Sequence, residues 1–267
     1  MRKERMTLKE TLRLISAIAV ACGTAHAANL ADPAVLIPPA RLSIGASYDL
    51  GGNSITNGAV PSIMNRVQAR LSYSPFPFLN FGIDGGTTQM DVASDTTATD
   101  TFGVFHGGYG LSGGGHLKLG TPFFFNNVMS LIGIVQGNVF SSKNGSGTTY
   151  GGTDAAGALG FQFHVPGFGY VTAGSEAYLI EGKTTDYTGK QGAYSNVNNV
   201  RGWLAVDYFP PENLGTKNLL YVSLELTVGP KVQFNARAPV QEFGFSVSIG
   251  TITPRLYGQE SDMEWKP

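Results

Sequence analysis

The residues able to do chemistry in this chain are few, and most follow one pattern. Arg66, Arg70, Asp84, Lys118, Glu176, Arg201, Asp207 and Glu225 each lie in a segment where every second residue is apolar. Side chains of an extended strand point to alternate sides, so a period of two sorts residues onto two faces. These eight charges share the polar faces of their strands, and their signs balance. Such a set either pairs and fills an enclosed space, or lines a path for water and selects ions; small enclosures favour filling. A second group surrounds His106, with Asp91, Asp95 and Asp100 shortly before it. A carboxylate beside an imidazole is a pair that can activate water, given direct hydrogen-bond geometry. His116 and His164 fall on polar faces and read as packing or hydrogen-bonding groups.

The elements that position these residues are strands. In 67–84, Val67, Ala69, Leu71 and Tyr73 alternate with Gln68, Arg70 and Ser72, and Leu79, Phe81 and Ile83 alternate with Asn80, Gly82 and Asp84. The short apolar turn Ser74-Pro75-Phe76-Pro77-Phe78 joins the two. Pairing Tyr73 with Leu79 sets Gln68 opposite Asp84 and puts Asp84 diagonal to Arg66 and Arg70. The same counting sets Glu225 diagonal to Arg201, within reach of long side chains. The unit recurs at 41–50, 104–119, 128–141, 153–164, 170–182, 200–209, 220–228 and 243–250, about ten strands in all. Segment 128–141 alternates least cleanly, because Ile132 and Ile134 share the phase of Ser130 and Gln136.

Connections between strands fall into two classes. One is rich in Pro and aromatics (74–78, 120–127, 165–168 and 209 onward). The other is polar and mostly longer (51–62, 92–102, 142–152, 183–199 and 229–240). The glycine runs Gly107-Gly108 and Gly113-Gly114-Gly115 are not followed by a helix, so they read as close strand packing rather than phosphate loops. Asn144-Gly145-Ser146 matches a glycosylation sequon and reads as a loop turn. The Asp- and Thr-rich stretch 91–101 reads as a solvated loop, not a cation site.

Charged residues are only 14% of the 267, well below a soluble domain's usual share, yet no apolar run is long enough for a spanning helix. Low charge with apolar residues at every second position is the composition of a membrane β-barrel. Residues 1–27 form a secretory signal peptide: Arg2, Lys3, Arg5, Lys9 and Arg13, then an apolar stretch, then Ala25-His26-Ala27 as the cleavage site. A rival reading makes Ala19-Val20-Ala21-Cys22 a lipobox with Cys22 lipidated, but the usual Leu is absent at Ala19. Cutting after Ala27 leaves 13 basic and 17 acidic residues, a net charge of −4, and no cysteine. That balance gives no basis for nucleic-acid binding, and it removes disulfides and thiolate metal sites.

With S-P-F-P-F turns and the final strand E-F-G-F-S-V-S-I-G, the chain resembles bacterial outer-membrane β-barrel proteins over about 41–257. The resemblance is architectural and names no subfamily. It implies an all-β fold: a single antiparallel transmembrane β-barrel of about ten strands, with short aromatic periplasmic turns and longer polar external loops. It divides the chain into a signal peptide (1–27), an N-terminal periplasmic segment (28–39), the barrel (40–257) and a periplasmic tail (258–267). That tail departs from the family, whose members often end on an aromatic read by the assembly machinery; a bend of the last strand near Pro254 is the other account. The resemblance further implies a place in the bacterial outer membrane, with lipid and the assembly machinery as partners and the external loops open to a surface ligand. The expected role is structural or passive, with the lumen filled by paired charges, no cofactor, no metal and no enzymatic activity. A narrow small-solute channel is the alternative. A rim hydrolase near His106, after the manner of the omptin proteases, is the second, although no omptin motif matches residue by residue.

Overall fold

The computed structural model describes residues 30, 33–55, 60–93, 104–126, 128–196, 200–210, 218–232 and 240–256. The expected signal peptide, Cys22, Asp95, Asp100 and the C-terminal tail lie outside these. Twelve strands form one antiparallel sheet: β1 (Arg41–Ile55), β2 (Val60–Phe76), β3 (Leu79–Val92), β4 (Phe105–His106), β5 (Gly108–Gly120), β6 (Met129–Lys143), β7 (Thr149–Val165), β8 (Gly169–Thr185), β9 (Gln191–Ser195), β10 (Val200–Tyr208), β11 (Leu219–Val232) and β12 (Val240–Ile252). Each strand pairs with its neighbour in the chain, and β12 returns to pair with β1 through ten residue pairs, Ser43–Ile252 to Gly52–Phe243. Both β4 and β5 pair with β3, and both β9 and β10 pair with β8, so each of these couples shares one stave. The result is a closed barrel of ten staves, in which the first and last strands, β1 and β12, pair with each other instead of leaving two free edges.

The barrel is inside out relative to a water-soluble core. On β5, Leu111 is 81% exposed while Lys118 is fully buried. Ile83, Val135, Leu159, Val200 and Ile249 also face outward, whereas Arg66, Arg70, Asp84, Glu176, Arg201, Asp207 and Glu225 are buried inside. A soluble sandwich or secreted barrel would turn these apolar residues inward. Ile132 and Ile134 follow the phase that β6 imposes and are buried in the lumen. Among the described residues no helix is long and apolar enough to cross a membrane.

Several strands are longer than the alternation indicates. β2, β7 and β8 each have 17 residues, about 55 Å at strand rise, far more than the ten or so residues needed to cross hydrocarbon. The growth is at the end away from the termini. There β1 runs to Ile55, β3 to Val92 and β7 starts at Thr149, inside stretches expected to be loops. Gly, Asn and Ser in those stretches break the apolar alternation while the backbone ladder continues through them.

At the terminal end the turns are aromatic. Phe76 and Phe78 stack at 5.5 Å, Tyr73 meets Phe81 edge-on at 5.8 Å, and Phe168 packs on Tyr208 at 5.2 Å. The 165–169 turn needs Gly167, whose φ of 75° is strained for a residue with a Cβ. Strand β12 stops at Ile252, before Pro254; Thr253 then donates to the Leu42 carbonyl and Leu256 to that of Ala40.

Candidate functional site

The eight charges read from the sequence all enter the lumen, but their partners differ from the expected ones. The hairpin β2–β3 pairs Tyr73 with Phe81, not with Leu79, because a bulge separates Tyr73 from Phe76 and Phe76 takes Leu79. The slip of two residues keeps every side chain on its face and sets Arg70 directly opposite Asp84. The Arg70 Nε donates to Asp84 Oδ1. The other Asp84 oxygen lies 3.2 Å from His116 Nδ1, and His116 Nε2 lies 2.9 Å from Ser72 Oγ. A Cβ on Gly82 would meet His116 Cε1 at 2.5 Å, so glycine there is what admits the ring.

The order Ser–His–Asp has the connectivity of a hydrolytic triad. Here Asp84 is also held by Arg70, and Ser72, Asp84 and His116 are all buried. The neighbouring backbone amides belong to the paired strands β2, β3 and β5. A hydrolase needs donors aimed at a developing oxyanion, and strand amides committed to a ladder are not such donors. Arg70, Asp84, His116 and Ser72 form one continuous chain of buried polar contacts inside the wall.

Four residues from Arg70, Arg66 does something different. Its Nη2 donates to Asp154 Oδ2 on β7, and Nη1 lies 3.5 Å from Asp154 Oδ1. Strands β3, β5 and β6 separate β2 from β7 around the wall, so the pair crosses the lumen. Arg66 Nε also donates to Thr88 Oγ1 at 3.1 Å. Asn138 Nδ2 donates to Asp154 at 3.1 Å, and Gln68 Nε2 to Asn138 Oδ1 at 3.3 Å. Asp154 was not among the expected site residues. It sits on the phase of Ala156, Gln162 and His164, so continuing the alternation toward Thr149 would have found it.

A second crossing lies nearer the far end. Arg201 Nη2 donates to Asn53 Oδ1 on β1, its guanidinium stacks 4.5 Å from the Tyr178 ring centre, and Glu242 is 4.0 Å away. Glu242 Oε1 accepts the Ser54 amide at 2.9 Å. The expected diagonal between Arg201 and Glu225 does not form. Glu225 pairs in register with Ala205, and Arg201 faces Glu176 across β8. Above this level Ile55, Val60, Val92, Phe105, Tyr150 and Tyr194 bury an apolar layer inside the mouth.

Below the charges, the polypeptide itself occupies the lumen. Glu225 accepts the Leu30 amide at 3.0 and 3.2 Å, and Asp207 accepts those of Ala34 and Val35 at 3.1 and 2.8 Å. Ile37 donates to Asn80 Oδ1 at 2.7 Å and receives Asn80 Nδ2 at 3.3 Å. Lys118 Nζ donates to the Pro33 carbonyl and lies 3.4 Å from that of Val35. Val35 and Ile37 pack with Tyr170, Phe209, Tyr221 and Ile252. The carboxylates of Asp207 and Glu225 thus accept backbone amides of the segment that enters the lumen.

At the rim, His106 Nδ1 is 3.7 Å from Asp91 Oδ1, its side chain is largely exposed, and Asp91 Oδ1 instead accepts the Gly107 amide at 3.1 Å. Among the described residues no hydrogen bond positions the imidazole for base catalysis there. His164 packs between Phe123 and Tyr170 at 6.5 and 5.2 Å. Among the described residues no cluster of three or more His, Cys, Asp or Glu side chains is placed to hold a metal ion.

No family model matches the chain, and no curated protein matches it. The solved structures it is similar to are bacterial outer-membrane barrels. The translocator domain of the autotransporter NalP from Neisseria meningitidis is 11% identical over 92% of this chain and 96% of that one, with a TM-score of 0.45. An outer membrane channel from Pseudomonas putida F1 is 11% identical over 85% and 99%, with a TM-score of 0.32. The Pseudomonas putida toluene transporter TodX is 9% identical over 86% and 94%, with a TM-score of 0.30. This chain is a closed antiparallel barrel. The likeness is one of architecture and assigns no subfamily.

Proposed function

We propose that this protein is an integral barrel of the bacterial outer membrane with a closed lumen and a structural or passive role. The observation that carries the reading is the Arg66–Asp154 pair, which spans the lumen from β2 to β7 and is buried at both ends. The segment 33–37 stands below it and the apolar layer around Ile55 and Tyr194 above it. Three successive obstructions along the lumen support a closed rather than an open barrel. The outward belt of Leu, Ile, Val and Phe supports lipid as the surrounding medium, since so large an apolar surface is not stable in water.

Conductance of the purified, refolded protein in planar bilayers tests this reading. The closed barrel passes no current. Stable unitary openings in the native protein would overturn it in favour of a narrow solute channel. Removing residues 28–39 clears only the lowest obstruction, so the truncated barrel also stays silent or nearly so. If truncation alone yields open channels, the N-terminal segment is the gate and the charge bridge is not.

A further inference from the structure

Over residues 149–157, strand β7 presents nothing large to the outside of the barrel. Its outward positions there are Thr149, Gly151, Thr153, Ala155 and Gly157. Larger residues stand on both sides: Val139 of β6 is in register with Thr153, and Leu179 of β8 with Ala155. The strand is thus the floor of a furrow. At Gly157 the furrow opens into an apolar groove of about 540 Å³, walled by Leu117, Val135, Leu159 and Val200. Glycine weakens a strand and often marks a place where a ligand or another backbone comes close. The barrel itself does not require it at 151 or 157. A Cβ there would come no nearer than 3.5 Å to the Phe140 carbonyl oxygen and 3.9 Å to that of Ile134, which are ordinary contacts, and neither residue has a positive φ.

Two lysines flank the furrow at the end away from the termini. Lys143 faces outward on β6, in register with Thr149, and Lys183 faces outward on β8, in register with Gly151. Two strand spacings and one same-face step separate them, about 12 Å. Both are exposed, and among the described residues no ion pair holds either one. The carboxylates nearby are Glu181, one same-face step below Lys183, and Asp186, which its own turn already occupies. From Gly151 to Gly157 is about 20 Å along the strand. A tilt of about 45° turns that into about 14 Å of depth, close to one leaflet's half of a 30 Å hydrocarbon core. The lysines therefore stand at headgroup level when the groove lies among the chain ends.

We propose that this face of β6, β7 and β8 binds an acidic lipid of the external leaflet, with phosphates at Lys143 and Lys183 and an acyl chain laid along β7 into the groove. Two cations about 12 Å apart suit a headgroup with two phosphates better than one with a single phosphate. A second barrel fits the face less well. A two-fold contact joins a patch to itself, and here it would gather four lysines around two copies of Glu181. The proposal rests on the outer-membrane reading given above and is independent of whether the lumen is closed.

The experiment has two parts. Fractionation of cell membranes tests the location. Titration of the purified barrel in detergent with lipid A, a glucosamine disaccharide carrying two phosphates and several acyl chains, tests the site, with the lipid bound per barrel read by native mass spectrometry. One lipid A is retained per barrel, and the same lipid without its phosphates binds at least about tenfold more weakly. Lys143→Glu combined with Lys183→Glu, both on the outer surface, produces a loss of similar size. Gly157→Phe fills the groove without touching a charge and weakens binding by about threefold. A barrel absent from the outer-membrane fraction defeats the outer-membrane reading, and the proposal with it. A barrel found there that binds both lipids equally, or whose affinity is the same in the charge variant, defeats the proposal alone. Lipid-free dimers broken by Gly157→Phe also defeat it and give the groove to a second copy.

Discussion

Arg66 and Arg70 lie on the same strand and the same face, four residues apart, and both hold a buried aspartate. Arg70 reaches Asp84 on the adjacent strand, 14 residues away in the chain; Arg66 reaches Asp154 across the lumen, 88 residues away. The first pair belongs to a hairpin and needs no barrel to form. The second exists only after the sheet closes. One arginine fixes strand register and the other ties opposite walls, so equal chemistry serves local and global order in turn. The hairpin pair has a reserve, because Asp84 also faces His116. Among the described residues, the hydrogen bond left to Asp154 if Arg66 is lost is that from Asn138.

Arg66→Ala is the harshest test of that contrast. It strands Asp154 in the lumen and should cost about 3–5 kcal/mol, read from urea unfolding of the refolded barrel. Arg70→Ala should cost less, about 2 kcal/mol, because Asp84 keeps its contact with His116 Nδ1. Equal losses in the two variants would break the distinction and imply that both aspartates depend on their arginine alone. Ser72→Ala comes next, at about 1 kcal/mol for one neutral hydrogen bond. It should change nothing in esterase or peptidase assays. Covalent capture of Ser72 by a fluorophosphonate would instead make the Ser72–His116–Asp84 brace a working hydrolytic site.

Much of this interior was legible as phase. Period two assigns Arg66, Arg70, Lys118, Glu176 and Arg201 to one face without any knowledge of partners, and it places Ile132 and Ile134 there despite their chemistry. Partners are a different matter. The bulge at Tyr73–Phe76 shifts the hairpin by two residues, which alternation cannot detect because a shift of two preserves phase. The Arg66–Asp154 contact depends on barrel closure and curvature, which no local pattern encodes. The entry of residues 33–37 into the lumen was hidden for the opposite reason. That segment has no periodicity, and its hydrogen bonds are made by backbone amides that every sequence possesses.

The smallest effect is expected at the rim, where a carboxylate has water instead of a lumen around it. Asp186 Oδ1 accepts the Thr188 hydroxyl at 2.6 Å and the amides of Thr188 and Lys190 at 2.8 and 2.9 Å, closing a turn completed by Gly189 at φ 88°. The Thr188 hydroxyl, then the turn amides, hold its carboxyl below the usual aspartate range. A folded value below the unfolded one means that the turn is stabilised above the ordinary aspartate pKa of about 3.9 and loses that contribution as pH falls below it. An NMR titration should therefore place the Asp186 midpoint below that of a model aspartate. Asp186→Asn should leave the unfolding midpoint of the barrel unchanged within error, since the side chain is exposed and its partners turn to water. A loss as large as that of Ser72→Ala would show that the rim turn is coupled to the wall, and that burial is not what separates consequential carboxylates from local ones.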